Sequence, residues 1–112
     1  MPAKFTTFQD AVLNIGVENV QFNTSNVDPN KKAYLSFGVI PDLTNGPTVD
    51  LEVQLNAQFL LQEQFSSEEM RVIQANIDTG ILDPANPNTL TLIKAAGLGE
   101  VAVSNFVVHF KS

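Results

Sequence analysis

The chain has 112 residues, a net charge of −6 and only 16% charged residues against 44% hydrophobic ones, a size and balance that fit a single domain over residues 1–112. It has no cysteine, which excludes disulfides and thiolate metal sites. Its six basic residues form no stripe beyond the pair Lys31-Lys32, so nucleic acid and anionic membrane surfaces are not expected partners, and no apolar run reaches the ~20 residues of a membrane span.

In chain order, the first segment gives two signals. Phe5, Phe8, Val12 and Ile15 recur at helical spacing, with a Thr cap and Asp10 in the first turn. Leu13, Ile15 and Val17 alternate instead, as do Val20 and Phe22. The preferred reading is a strand over about 12–22 with a short helical lead-in, its parity switch placed at a bulge near Gly16. Residues 23–31 are rich in turn formers. A strand follows, with Ala33, Leu35, Phe37 and Val39 on one face, and Pro41 stops it. Asn45-Gly46 marks a turn.

The strongest periodicity lies in Leu51, Val53, Leu55, Ala57, Phe59 and Leu61, which alternate with mostly polar residues. It predicts one long half-buried strand, paired as a hairpin with residues 33–40. Ser66-Ser67-Glu68-Glu69 resembles a helix start, and Met70, Ile73 and Ile77 share a helical face, so a short helix is expected over about 66–78 with Gly80 as its cap. Strands over Thr89–Ala95 and Val101–Phe110 follow, joined by Ala96-Gly97-Leu98-Gly99, which reads as a flexible hairpin. In the last strand Val101 and Val103 share one parity, whereas Phe106, Val108 and Phe110 share the other. A bulge near Ser104-Asn105 reconciles them; otherwise both faces are covered, one by another subunit. The expected fold class is therefore α+β, strand-rich, a mostly antiparallel sheet or sandwich of order β-β-β-α-β-β.

Motifs for chemistry are absent. His109 is the only histidine, sits in a predicted strand and has no Gly-x-Ser-x-Gly nucleophile to serve. Asp83, Asn86 and Asn88 gather oxygen ligands of the kind calcium takes, without the glycine and distal glutamate of an EF-hand; the same residues make a good turn, as does Asp28-Pro29-Asn30. Glu68-Glu69 suit a helix start. Glu52 lies in a polar row with Gln54, Asn56 and Gln58, which lines either a groove or a plain solvated face. Gly97-Leu98-Gly99 precedes a strand and so is no phosphate cradle. Asn23-Thr24-Ser25 matches a glycosylation sequon.

No catalytic, cofactor-binding or metal residue is assigned, and no cofactor is expected. The chain reads as a non-catalytic structural or protein-interaction subunit that self-associates, as virion and appendage components do. Its expected partner is itself or another protein, and the candidate interface is Phe106, Val107, Val108, His109 and Phe110. The alternative is a chaperone-like binder of peptide, unfolded chain or small ligand; a cofactor-free enzyme ranks third. The start Met1-Pro2-Ala3-Lys4-Phe5 lacks a long apolar segment, which gives an expected location in the cytoplasm or an assembled particle.

Overall fold

Side chains that alternate between core and surface at period two run through nearly every element, and they produce strands rather than helices. The computed structural model describes residues 3–12 as backbone and residues 16–111 with their side chains. Among these residues lie eight strands: β1 Ala3–Val12, β2 Val17–Phe22, β3 Ala33–Asp42, β4 Val49–Leu55, β5 Gln58–Phe65, β6 Arg71–Ile77, β7 Asn88–Ala96 and β8 Glu100–Lys111. They form two four-stranded antiparallel sheets of order β1-β8-β3-β6 and β2-β7-β4-β5. Only β4 and β5 are consecutive neighbours in one sheet; every other connection crosses between the sheets, which gives a jelly-roll sandwich.

The inner faces meet in one core. Leu35, Phe37 and Val39 of β3 and Val101, Val103, Phe106 and Val108 of β8 come from the first sheet. Val49, Leu51, Val53 and Leu55 of β4 and Leu90 and Leu92 of β7 come from the second. All of these are at most 2% exposed, and each such side chain contributes roughly 1.5–3 kcal/mol by leaving water. Phe37 and Phe106 stack across adjacent strands with ring centroids 5.2 Å apart.

The strand-rich antiparallel sandwich agrees with expectation, but its helix does not form. Residues 66–70 are a crossing loop, and Arg71–Ile77 is the edge strand β6, paired with β3. Ile73, Ala75 and Ile77 face inward and Val72, Gln74 and Asn76 outward, so the period-two pattern overrides the helical spacing of Met70, Ile73 and Ile77. Glu68 does not serve a helix start. Its Oε2 accepts from the Leu43 amide at 2.9 Å and ties two crossing loops together.

Connectivity also departs from the sequence reading. The segment 12–22 is not one strand: β1 ends at Val12 and β2 begins at Val17 in the opposite sheet, while Leu13 and Ile15 lie outside the described residues. The proposed helical lead-in is strand β1, and Gly16 is a connector whose carbonyl accepts from the Lys94 amide at 2.8 Å. Residues 33–40 and 51–61 form no hairpin, because Leu43–Thr48 carries the chain from one sheet to the other. The Gly97–Gly99 segment crosses in the same way.

The long strand 51–61 is two strands. Asn56 and Ala57, at φ of 50° and 67°, make a two-residue hairpin turn that folds β5 back on β4. Asn tolerates the left-handed region, and its side chain fixes the turn: Oδ1 accepts from the Thr89 amide at 2.8 Å and Nδ2 donates to the Ile81 carbonyl at 2.7 Å. The bulge read near Ser104-Asn105 is present. Asn105 has φ of 57°, and β8 gains one residue there against β3; against β1 the register shifts instead between Thr7 and Gln9, opposite Val107 and Phe106.

Candidate functional site

The outer face of the second sheet collects most of the polar side chains that the strands display. Pairing fixes their rows: Asn19 of β2 lies beside Thr91 of β7, Gln54 of β4 and Phe59 of β5. The next row is Val17, Ile93, Glu52 and Gln62, and Asp50 pairs with Gln64 beyond it. At strand spacings near 4.8 Å each four-strand row spans roughly 14 Å. The middle of the face is half-buried at Asp50, Glu52, Gln54, Thr91 and Ile93, whereas Asn19, Phe59, Gln62 and Gln64 are exposed.

Phe59 reaches this face through the first of two changes of parity. The turn at Asn56-Ala57 sets Gln54 opposite Phe59, so Phe59 points outward and is 61% exposed. Leu60 is then an extra residue in β5, and this bulge returns Leu61 to the inner side opposite Val53. An exposed phenyl ring at the end of a row of amide and hydroxyl groups results.

Hydrogen bonds hold these polar groups in place. Gln54 Nε2 donates to Glu52 Oε2 at 2.5 Å, Gln62 Nε2 to Asp50 Oδ2 at 3.4 Å and Thr91 Oγ1 to Asn19 Oδ1 at 2.8 Å. Asp50 Oδ1 is buried and has no hydrogen-bond partner among the described residues. Glu52 and Gln54 were read from the sequence as part of a polar row. Asn56 and Gln58 leave it: Asn56 is the turn residue, and Gln58 lies opposite Leu55 at the sheet end.

The outer face of the first sheet has a different character. Tyr34 and His109 stack across β3 and β8 with centroids 4.4 Å apart and planes 15° apart. Beyond them stand the exposed Ile40, Met70 and Val72. Of the candidate interface residues, Phe106, Val108 and Phe110 are buried in this chain's own core, while Val107 and His109 are half-buried on the outer face.

The 83–88 loop does not gather its oxygens around one point. Asp83 Oδ1 accepts from the amides of Ala85 at 2.8 Å and Asn86 at 3.0 Å, and Asn86 Nδ2 donates to Oδ2 at 3.2 Å. These donors, the Ala85 amide foremost, hold the Asp83 carboxyl below its ordinary pKa. Asn88 points inward and is fully buried; its Oδ1 accepts from the Asp83 amide at 2.8 Å and from Asn56 Nδ2 at 2.9 Å. Asp28 Oδ1 likewise caps a turn, accepting from the Asn30 amide at 2.9 Å. Among the described residues no three or more His, Asp or Glu side chains are placed to hold a metal. At the other end of the sandwich the Thr44 hydroxyl and amide lower the Asp42 pKa in the same way. The sequon's Thr24 is 1% exposed and bonded to Asn88 and Asp83, so the triplet belongs to a packed turn.

No family model and no curated protein sequence matches the chain. Solved structures do match its shape. The CBM36-1 domain of a multidomain xylanase from the hindgut metagenome of Trinervitermes trinervoides superposes with a TM-score of 0.58 at 8% identity, covering 97% of this chain and 98% of that one. A family 35 carbohydrate binding module from Clostridium thermocellum gives 0.53 at 15% identity, covering 97% and 99%. The fold is a β-sandwich like those of carbohydrate-binding modules. Dimeric latent PorU from Porphyromonas gingivalis gives 0.66 at 11% identity over 93% of this chain, which spans only 13% of the PorU chain. At these identities the likeness concerns the fold.

Proposed function

We propose that the chain is a non-catalytic binding module and that its ligand is a glycan lying across the outer face of the β2-β7-β4-β5 sheet. The observation that carries this reading is the row Asn19, Thr91, Gln54 and Phe59: hydrogen-bonding side chains in line with an exposed aromatic ring. A sugar ring has an apolar C–H face and a polar hydroxyl rim, so its recognition needs both elements side by side. The opposite sheet sets Asn76 and Gln74 beside Tyr34 and Ser36, but one face of the Tyr34 ring is already covered by His109, and Ile40, Met70 and Val72 beyond it are apolar. The fold's likeness to carbohydrate-binding modules supports the same reading by analogy.

The reading of a self-associating virion or appendage subunit loses one of its supports. The apolar excess in β8 is covered by this chain's own opposite sheet.

The test is affinity electrophoresis against a panel of soluble polysaccharides, repeated with Phe59→Ala and Tyr34→Ala. The expected result is retardation by at least one polysaccharide, abolished by Phe59→Ala and kept by Tyr34→Ala. No retardation across the panel, or retardation that Phe59→Ala leaves intact, would overturn the proposal.

A further inference from the structure

We infer that this face prefers amino sugars carrying protonated amines to their N-acetylated counterparts, and that it rejects acidic glycans. The inference rests on the glycan-binding reading above and names the ligand chemistry of the same face.

Asp50 and Glu52 are two residues apart on β4 and therefore point to the same side, near the middle of the face. The strand parities of β2, β7, β4 and β5 put no lysine or arginine on that side among the described residues. Arg71 belongs to β6 and pairs with Glu63 at 3.1 Å, and Lys94 shares the inward parity of Leu90 and Leu92. A bound uronate or sulfate would meet two carboxylates with no counter-charge, which is unfavourable where the groups are half-buried.

Hydrogen-bonding capacity is biased in the same direction. The amide nitrogens of Gln54 and Gln62 are directed at Glu52 and Asp50, and the Thr91 hydroxyl is directed at Asn19. The carboxylates have only acceptor atoms, and the engaged amides still present theirs. Asp50 Oδ2 takes only a long 3.4 Å bond from Gln62 among the described residues, so acceptor capacity on this face is left for a ligand that supplies donors. An ammonium group brings three donors and a positive charge to such a site. An acetamide in its place brings one donor, one acceptor and no charge.

The experiment is calorimetric titration of the whole chain with glucosamine, N-acetylglucosamine and galacturonate oligomers of equal length, at a mildly acidic pH where the amine is protonated. The expected result is roughly tenfold tighter binding of the glucosamine oligomer than of the acetylated one, shrinking as salt is added, and no binding of the galacturonate oligomer. Asp50→Asn with Glu52→Gln is expected to bring the preference close to unity. Glu69→Gln with Glu100→Gln removes the same charge away from the face and is expected to leave the preference intact. Equal binding of both amino sugars, binding of the galacturonate oligomer, or equal loss of preference in both double variants would overturn the inference. Binding without preference that Phe59→Ala still abolishes would leave the proposed function standing; no glycan binding at all would remove both.

Discussion

Asn88 Nδ2 donates to Thr24 Oγ1 at 3.0 Å, joining two buried side chains that are 64 residues apart in the chain. The same amide accepts from the Asp83 backbone and from Asn56, and Thr24 donates to the Asp83 carbonyl at 3.2 Å. Three segments that close one end of the sandwich therefore share one buried polar group. Asn88→Ala leaves donors from Asp83 and Asn56 without their acceptor, and each such loss costs about 1–3 kcal/mol. The expected destabilisation is about 3 kcal/mol in urea unfolding. Thr24→Val keeps the shape, removes one hydroxyl and is expected to cost about 1 kcal/mol. A loss under about 1 kcal/mol for Asn88→Ala would show that the network contributes little.

The β4–β5 turn contains a residue under strain. Ala57 sits at φ of 67°, where a Cβ crowds the following carbonyl at a cost of roughly 1–2 kcal/mol. Ala57→Gly relieves that strain but adds freedom to the unfolded chain. The net expectation is stabilisation by about 0.5–1 kcal/mol, read as a higher urea midpoint at unchanged slope. Asn56→Ala is expected to act in the opposite direction and more strongly, because it removes hydrogen bonds to Ile81, Asn88 and Thr89 as well as the residue type suited to that φ. A destabilised Ala57→Gly would contradict this account of the turn.

Asp83 and Asp42 shape the acid limb of stability. Both carboxyls titrate below their free value of 3.8 in the folded chain, because loop donors favour the charged form: the Ala85 and Asn86 amides for Asp83, the Thr44 hydroxyl and amide for Asp42. A depressed folded pKa means that the unfolded chain takes up its proton first as pH falls. The stabilisation is thus complete well above 3.8 and lost below it, on the way down through the folded value. Asp83→Asn together with Asp42→Asn is expected to lower the urea midpoint near neutrality and to leave it little changed at low pH, so that the fall between the two is flatter. An acid limb as steep as that of the unsubstituted chain would show that other carboxylates dominate.

These positions also show what could be read from residues alone. The bulge at Asn105 was legible because the inward set changes from Val101 and Val103 to Phe106, Val108 and Phe110, and one odd-to-even switch needs one extra residue. The hairpin at Asn56-Ala57 was not. The turn inverts parity and the Leu60 bulge inverts it back, so Leu51 to Leu61 alternates as though unbroken. Phe59 was therefore read as core, and the exposed aromatic of the candidate site was missed. Asn56, a residue that accepts positive φ, was the one available signal. Glu52 and Gln54 lie before the inversion, and their shared polar row was legible. The edge strand β6 was hidden for another reason: its partner β3 lies some forty residues away, and non-local pairing decided between two periods that Ile73 and Ile77 satisfy equally. Sheet assignment was the least legible feature, since short turns such as Leu43–Thr48 serve a hairpin or a crossing alike.

The crossing loop at Gly97 offers a separable test of that architecture. Gly97 and Gly80 have nearly the same left-handed backbone, with φ of 84° and 86°. A Cβ on Gly80 meets open space, whereas one on Gly97 falls 2.4 Å from the Thr48 carbonyl oxygen. Gly80→Ala therefore incurs only the intrinsic left-handed cost of roughly 1–2 kcal/mol. Gly97→Ala incurs that cost and also drives apart the two loops that carry the chain between sheets, which are joined by the Gly99 amide donating to Thr48 at 3.0 Å. It is expected to destabilise by at least about 2 kcal/mol more than Gly80→Ala in urea unfolding, a difference large enough to reduce soluble yield. Equal losses in the two variants would mean that the two crossing loops do not approach each other as closely as the sandwich requires.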